Sequence, residues 1–306
     1  IRFKELRLKN RKICEALIAL RNSGSKNGKA IVGIDAAASE FDTSPEVFAP
    51  VFKRLREKGF QHFTYHAGED FYHLLGGLRA IYEAITFLNL QRGDRIGHAT
   101  AAGVDPETWA HNVGGEVVVP IGAYMDDLLF VYYLISNNEC KALESLMPRL
   151  YMRITELSRE IFPNDEFQVY DLIYSWKKRQ EDILELADSG ELNNIKALKR
   201  YHQKEYVEKY KKEIKVKIFE ILDENALREV QLAILKIMHH KEIAIETLPT
   251  SNIFIGYHNS FNTYHLVNWI RWEKEGKPIP PIVLGTDDAG IFATNIYNEY
   301  CHIYTL

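Results

Sequence analysis

The sequence predicts an α/β fold, a (β/α)8 barrel of the TIM type, and three observations lead there. Five short β-rich runs turn small or reactive at their last residues. They are AIVGIDAAASE (30–40), FQHFTYHAGED (60–70), RGDRIGHAT (92–100), EIAIETLPTSN (242–252) and PIVLGTDDAG (281–290). The pitch is regular: Asp35 to His66 is 31 positions and His66 to His98 is 32. Helical stretches fill the gaps, which is the pattern of a parallel sheet. Reactive residues gather at the C-terminal ends of strands in such barrels. The competing doubly wound open sheet would carry GxGxxG after a strand, and no run does.

The elements follow in order. IRFKELRLKNRKICEALIALRN (1–22) has the apolar spacing of an amphipathic helix and reads as its middle or end. Together with five visible units where eight are needed, this leads us to expect a longer polypeptide with three units upstream of Ile1. Ser44-Pro45 predicts a helix start, with a capping side chain and proline at the first helical position, and Gly59 predicts its end. FYHLLGGLRAIYEAITFLNL (71–90) is the next helix, and NALREVQLAILKIMHH (225–240) precedes the fourth run. His98 to Glu246 is 148 positions, far beyond one unit. Residues 105–225 are therefore expected to form a mostly helical insertion on the active face. The C-terminal part of the barrel is assigned to 1–104 and 226–306. YMDDLLFVYYLI (124–135) is apolar enough to be buried.

With 306 residues, 46% hydrophobic, the chain can bury a large core. Its net charge of -4 argues against a generally basic nucleic-acid binder. Cys14, Cys140 and Cys301 are scattered without a CxxC pair, which suits free thiols, a reducing compartment and a cytoplasmic protein. No apolar run reaches the length of a membrane span. WKKRQ (176–180) and KRYHQKEYVEKYKKEIKVK (199–217) interleave lysines with tyrosines. They read as a solvated helix face, with RNA or phosphate binding as the alternative. His258, in the loop after the fourth run, is a second candidate for a substrate phosphate, and a loop or helix-start histidine is its plain reading.

Taken singly, the reactive residues leave alternatives open. His66 could be a capped core histidine or a metal ligand, since divalent ions such as zinc take imidazole nitrogen and carboxylate oxygen. Glu69, beyond Gly68, could be solvated or could carry a proton over the same site. His98 could be packed at a strand terminus or hold a water. Asp287 and Asp288 are costly after an apolar strand unless each finds a partner, though a plain turn would also explain them.

Together, HAGE (66–69), RIGHA (95–99), LPTSN (248–252) and TDDAGIF (286–292), with GIDAAASE (33–40) ahead of them, resemble the adenosine deaminase family of metal-dependent hydrolases. The resemblance covers residues 30–104 and 240–300. It implies Zn2+ as cofactor, with His66 and Asp287 as ligands. It implies Glu69 as the proton shuttle to purine N1 and His98 as the residue orienting the attacking water. Asp288 would meet purine N7, and Ala38 and Glu40 would line the substrate site, Ala38 standing where the family has a glycine. The family's first-strand His-x-His pair is absent, and its place would lie upstream of Ile1. Leu248 replaces the family's cysteine. The long insertion, GIDAAASE and GTDDAGIFATNIYNEY more narrowly resemble the deaminase subunits of the bacterial RADAR anti-phage system. That likeness implies a homo-oligomer, an ATPase partner, and adenine nucleotides or RNA adenosines as substrate. A different barrel metallohydrolase and a catalytically silent scaffold are the competing expectations.

Overall fold

A computed structural model describes residues 1–37, 39–41, 43–256 and 260–305. Ala38 and His258 lie outside the described residues. Seven strands are present: β1 Gly33–Ala36, β2 His62–Ala67, β3 Arg95–His98, β4 Glu116–Pro120, β5 Glu213–Lys217, β6 Ala244–Thr247 and β7 Ile282–Leu284. The five β-rich runs supply β1, β2, β3, β6 and β7, which form one parallel sheet in that order. Flanked by helices, this sheet is consistent with a partial α/β barrel, its edges being β1 and β7.

The opening segment forms the helix Lys4–Asn22, whose Cys14 and Ile18 turn into the core. Ser44 differs from its expectation. A 3-10 turn, Pro45–Val47, follows it, and its side chain caps nothing. The proline does open the turn, and the helix Ala49–Glu57 that continues it ends before Gly59 at φ 86°, a backbone state that glycine adopts without strain. The helix Leu74–Phe87 starts at His73, whose ring accepts from the Leu75 N–H. Burial lowers the His73 pKa to about 4, so the ring is neutral and suited to accept. The helix Glu224–Lys241 is capped by the Asp223 carboxylate on the Ala226 N–H.

Strand starts are tied down by Asp94, fully buried, which accepts from Phe63 N at 3.0 Å, Gln91 N at 2.8 Å and the Arg56 guanidinium at 2.5 Å. Three donors compensate the burial of its charge. On β2 the side chains alternate, with Phe63, Tyr65 and Ala67 buried against the helical layer and Thr64 and His66 on the other face.

Residues 105–225 contain seven α-helices among their described elements, and also an antiparallel ribbon of β4 with β5 that was not foreseen. The apolar stretch 124–135 lies in the helix Ile121–Ser136 and is buried almost throughout. This segment is joined to the sheet's helices by a buried ion network. Arg79, on Leu74–Phe87, donates to Glu83 at 2.8 Å and to Asp127 at 2.7 Å. The Trp176 indole also donates to Glu83, at 2.7 Å. Arg179 grips neighbouring Asp126 through both terminal nitrogens, at 2.5 and 2.9 Å. Burial, opposed by Arg79 and reinforced by Asp126 and Glu83, pushes the Asp127 carboxyl up to about 7. Several lysines of the basic stretches meet acceptors on the surface: Lys177 donates to Tyr133, while Lys209, Lys212 and Lys215 pair with Glu205, Glu160 and Glu116. Among the described residues, no helix is long and apolar enough to cross a membrane.

Candidate active site

The parallel register decides which side chains share a face. Asp35 pairs with Thr64, and His66 with Gly97, so Asp35 and His66 point to the same side of the sheet. Gly97 is required there by close approach. A Cβ at that position would lie 2.4 Å from Cδ2 and 2.9 Å from Nε2 of His66. The ring of His66 therefore lies flat over the bare backbone of β3.

His98 pairs with Ala67, and strict alternation would turn it to the opposite face. The backbone breaks that rule: His98 has φ 65° and Ala99 φ 50°, both left-handed. Such geometry costs on the order of 1–3 kcal/mol in a non-glycine residue and persists where surrounding contacts enforce it. Here it brings the His98 ring to 5.2 Å from that of His66, centroid to centroid. Asp287, after β7, is also left-handed at φ 55°. Two of the residues singled out from the sequence thus carry the same kind of strain.

A triangle with two buried members, His98 and Asn252, holds the half-buried Glu69. Its Oε1 lies 2.9 Å from Nδ1 of His98, and Asn252 Nδ2 is 3.2 Å from that oxygen and 2.8 Å from that nitrogen. The Asn252 amide is oriented from behind, because its Oδ1 accepts from Tyr264 OH at 3.1 Å and Leu248 N at 3.4 Å. Its two N–H bonds therefore face Glu69 and His98. Nδ1 of His98 offers one site only, so Asn252 and Glu69 compete for it, whereas Glu69 Oε1 can accept from either neighbour. This arrangement can carry a proton toward a bound ligand.

The neighbouring residue serves the other carboxylate. Ser251 Oγ donates to Asp287 Oδ2 at 2.5 Å, and Asp287 Oδ1 accepts from Asp288 N at 2.9 Å. Asp288 Oδ1 accepts from Gly290 N and Ile291 N, both at 3.1 Å, so this oxygen closes its own turn. Glu40 binds the HAGED turn from across β1. Its two oxygens accept from Gly68 N at 2.7 Å, Glu69 N at 2.8 Å and Asp70 N at 3.4 Å. Burial outweighs those three donors and pushes the Glu40 carboxyl up to about 7. Glu40 and His66 also border a cavity of about 410 Å³, whose far wall carries Asp126, Asp127, Arg179 and Tyr210. Glu69, His98, Asp287 and Asp288 do not line it.

The donor set was tested for a metal ion. Nδ1 of His66 is buried without a hydrogen-bond partner, and Asp35 Oδ1 stands 3.7 Å away. Metal-bound imidazoles commonly give their second nitrogen to a carboxylate, which leaves Nε2 for the ion. Asp287 likewise has its own hydrogen bonds, as ligating carboxylates do. These features fit zinc chemistry at His66 and Asp287. Among the described residues, however, no group of three or more His, Cys, Asp or Glu side chains is placed to hold an ion. Asp35, Ser251 and Asn252 received no role from the sequence. Asp35 had a usable signal, an ionisable residue between Ile34 and Ala36 inside a β-rich run.

Over 91 residues the chain is 37% identical to an adenosine deaminase of Clostridium kluyveri, a match that takes in 29% of this chain and 24% of that relative. It is a distant homologue of adenosine-deaminase-like proteins. No family model matches it. The chain thus spans about a quarter of the length of the curated relative it matches.

Proposed function

We propose that this protein hydrolytically deaminates an adenine base, with zinc held in part by His66 and Asp287. The observation that carries the reading is the Glu69–His98–Asn252 triangle standing beside the His66 ring. A bound zinc ion would supply a Lewis acid that makes water nucleophilic near neutral pH. Glu69 would deliver its proton to purine N1 and take one back from the water that His98 would orient toward C6; the C6–amine bond would then break as the new hydroxyl's proton passes to the amine, which leaves as ammonia. Asp35 would steady His66 through Nδ1, and Ser251 would steady Asp287. Asp288 is assigned to purine N7, Ala38 to the purine edge and Glu40 to the substrate site, where it holds the HAGED turn. Two donors do not complete a zinc site. Among the described residues no third side chain joins them to hold an ion.

Residues 1–104 and 226–306 are assigned to the barrel and 105–225 to an insertion. Their motifs support the narrower likeness to the deaminase subunits of RADAR. That likeness brings a homo-oligomer, an ATPase partner, a cytoplasmic setting, and ATP, dATP or RNA adenosines among the substrates.

The test is direct. Full-length protein loaded with zinc is incubated with adenosine, ATP, dATP and adenosine-containing RNA, and inosine products and ammonia are measured. Glu69→Gln should abolish product with zinc content unchanged, by a factor of at least ~10². Full activity in Glu69→Gln refutes the shuttle assignment. No product from any substrate leaves the silent scaffold as the better reading.

A further inference from the structure

Among the described residues, one fully buried glutamate beside the candidate site forms no ion pair. Glu299 lies in the helix Ile296–Tyr304, after β7, and is 0% exposed. Its carboxylate accepts from Thr250 N at 2.9 Å and Thr250 Oγ at 2.6 Å, and Thr294 Oγ also donates to it. A charge buried without a counter-ion is tolerated only where several donors face it. Here one donor is a free backbone N–H in the first turn of the helix Pro249–Ile255, which its own helix leaves without a partner. Glu299 therefore caps, from another element, the turn that follows β6.

The next two residues of that turn make the contacts that organise the site. Ser251 reaches Asp287, and Asn252 reaches both Glu69 and His98. Both are fully buried, so neither has room to recover its contacts if the turn shifts. We propose that Glu299 is a positioning residue that fixes the Thr250–Asn252 turn and through it aligns Asp287, Glu69 and His98. The proposal rests on the deaminase reading for its catalytic consequence and on these hydrogen bonds for its structural one. Glu299 never touches the substrate; it acts through Thr250.

The experiment compares the full-length protein with Glu299→Gln and Thr250→Val. A glutamine removes the charge and, with its oxygen kept on the Thr250 N–H, turns the Thr250 and Thr294 hydroxyls from donors to a carboxylate into acceptors from an amide, which weakens both bonds. The expected result for Glu299→Gln is a fall in kcat of tenfold or more with KM within twofold. The Asn252 side-chain amide protons should exchange at least tenfold faster by NMR, while the Trp176 indole proton, buried elsewhere, keeps its rate. Unchanged kcat with unchanged Asn252 exchange overturns the inference and leaves the deaminase reading standing. Absence of deamination in the unsubstituted protein overturns that reading instead, and the Asn252 exchange rate still decides the role of Glu299. If Glu299→Gln does not fold, Thr250→Val, which keeps the buried charge and the backbone N–H, is judged by the same two readouts with a threefold threshold.

Discussion

Replacing Gly97 by alanine is the sharpest perturbation of the His66 arrangement. The added methyl would sit 2.4 Å from Cδ2, 2.9 Å from Nε2 and 3.1 Å from Cγ of His66. Ordinary carbon contacts lie at ~3.5–4.0 Å, so the overlap exceeds about 1 Å and involves a ring rather than the end of a flexible chain. Relief requires β2 and β3 to separate, where His66 pairs with Gly97, or the ring to swing away. Forced overpacking of this kind costs roughly 1–3 kcal/mol. If the ring gives way by about 1 Å, a reaction depending on its position should slow by ~10²-fold. Urea denaturation gives the stability change, inosine formation gives kcat/KM, and metal analysis gives zinc retained. Stability, rate and zinc content all matching the parent would show that the ring does not lie over the β3 backbone as described.

Two further outcomes are expected. The folded-state carboxyl of Asp127, raised to about 7, holds a proton that the unfolded chain releases near its ordinary value of 3.8. Its contribution is therefore fully present below that value and is lost as pH rises toward 7, at up to about 1.4 kcal/mol per pH unit. Asp127→Asn should flatten this part of the stability profile, and a stability difference from the parent that stays constant from pH 4 to 7 rejects the assignment. Thiol labelling of the native protein should modify Cys301, which is exposed, and spare Cys14 and Cys140, which are buried. Burial raises both pKa values, that of Cys140 to about 12. Fast labelling of all three without denaturant would contradict the core packing.

The parallel sheet was legible because each strand is a local β-rich run ending in small residues, and its spacing repeats. The β4–β5 ribbon was not, because Glu116–Pro120 and Glu213–Lys217 acquire their pairing only when segments nearly a hundred positions apart meet. Ser44 failed as a cap because the chain takes a 3-10 turn first, a choice made by packing around the buried Pro45 and Val47. At the site, His66, Glu69, His98 and Asp287 announce themselves as reactive groups at strand ends. The left-handed backbone that re-aims His98 leaves only a weak mark in residue type, since histidine, though enriched at positive φ, adopts it far less often than glycine. Asn252 and Ser251 were visible as polar residues, but their partners follow from the direction of the turn after β6.

The charges shared between Leu74–Phe87 and the helices of 105–225 bear on how such a protein could be reshaped. A segment of this length would ordinarily be regarded as a detachable module. Excising it would leave Arg79 and Glu83 facing a void without Asp127 and Trp176, and severing a buried pair on one side costs roughly 3–5 kcal/mol. Trimming or transplanting it would succeed only where Arg79 and Glu83 are exchanged together for apolar residues, so the segment's requirements extend into the helix Leu74–Phe87.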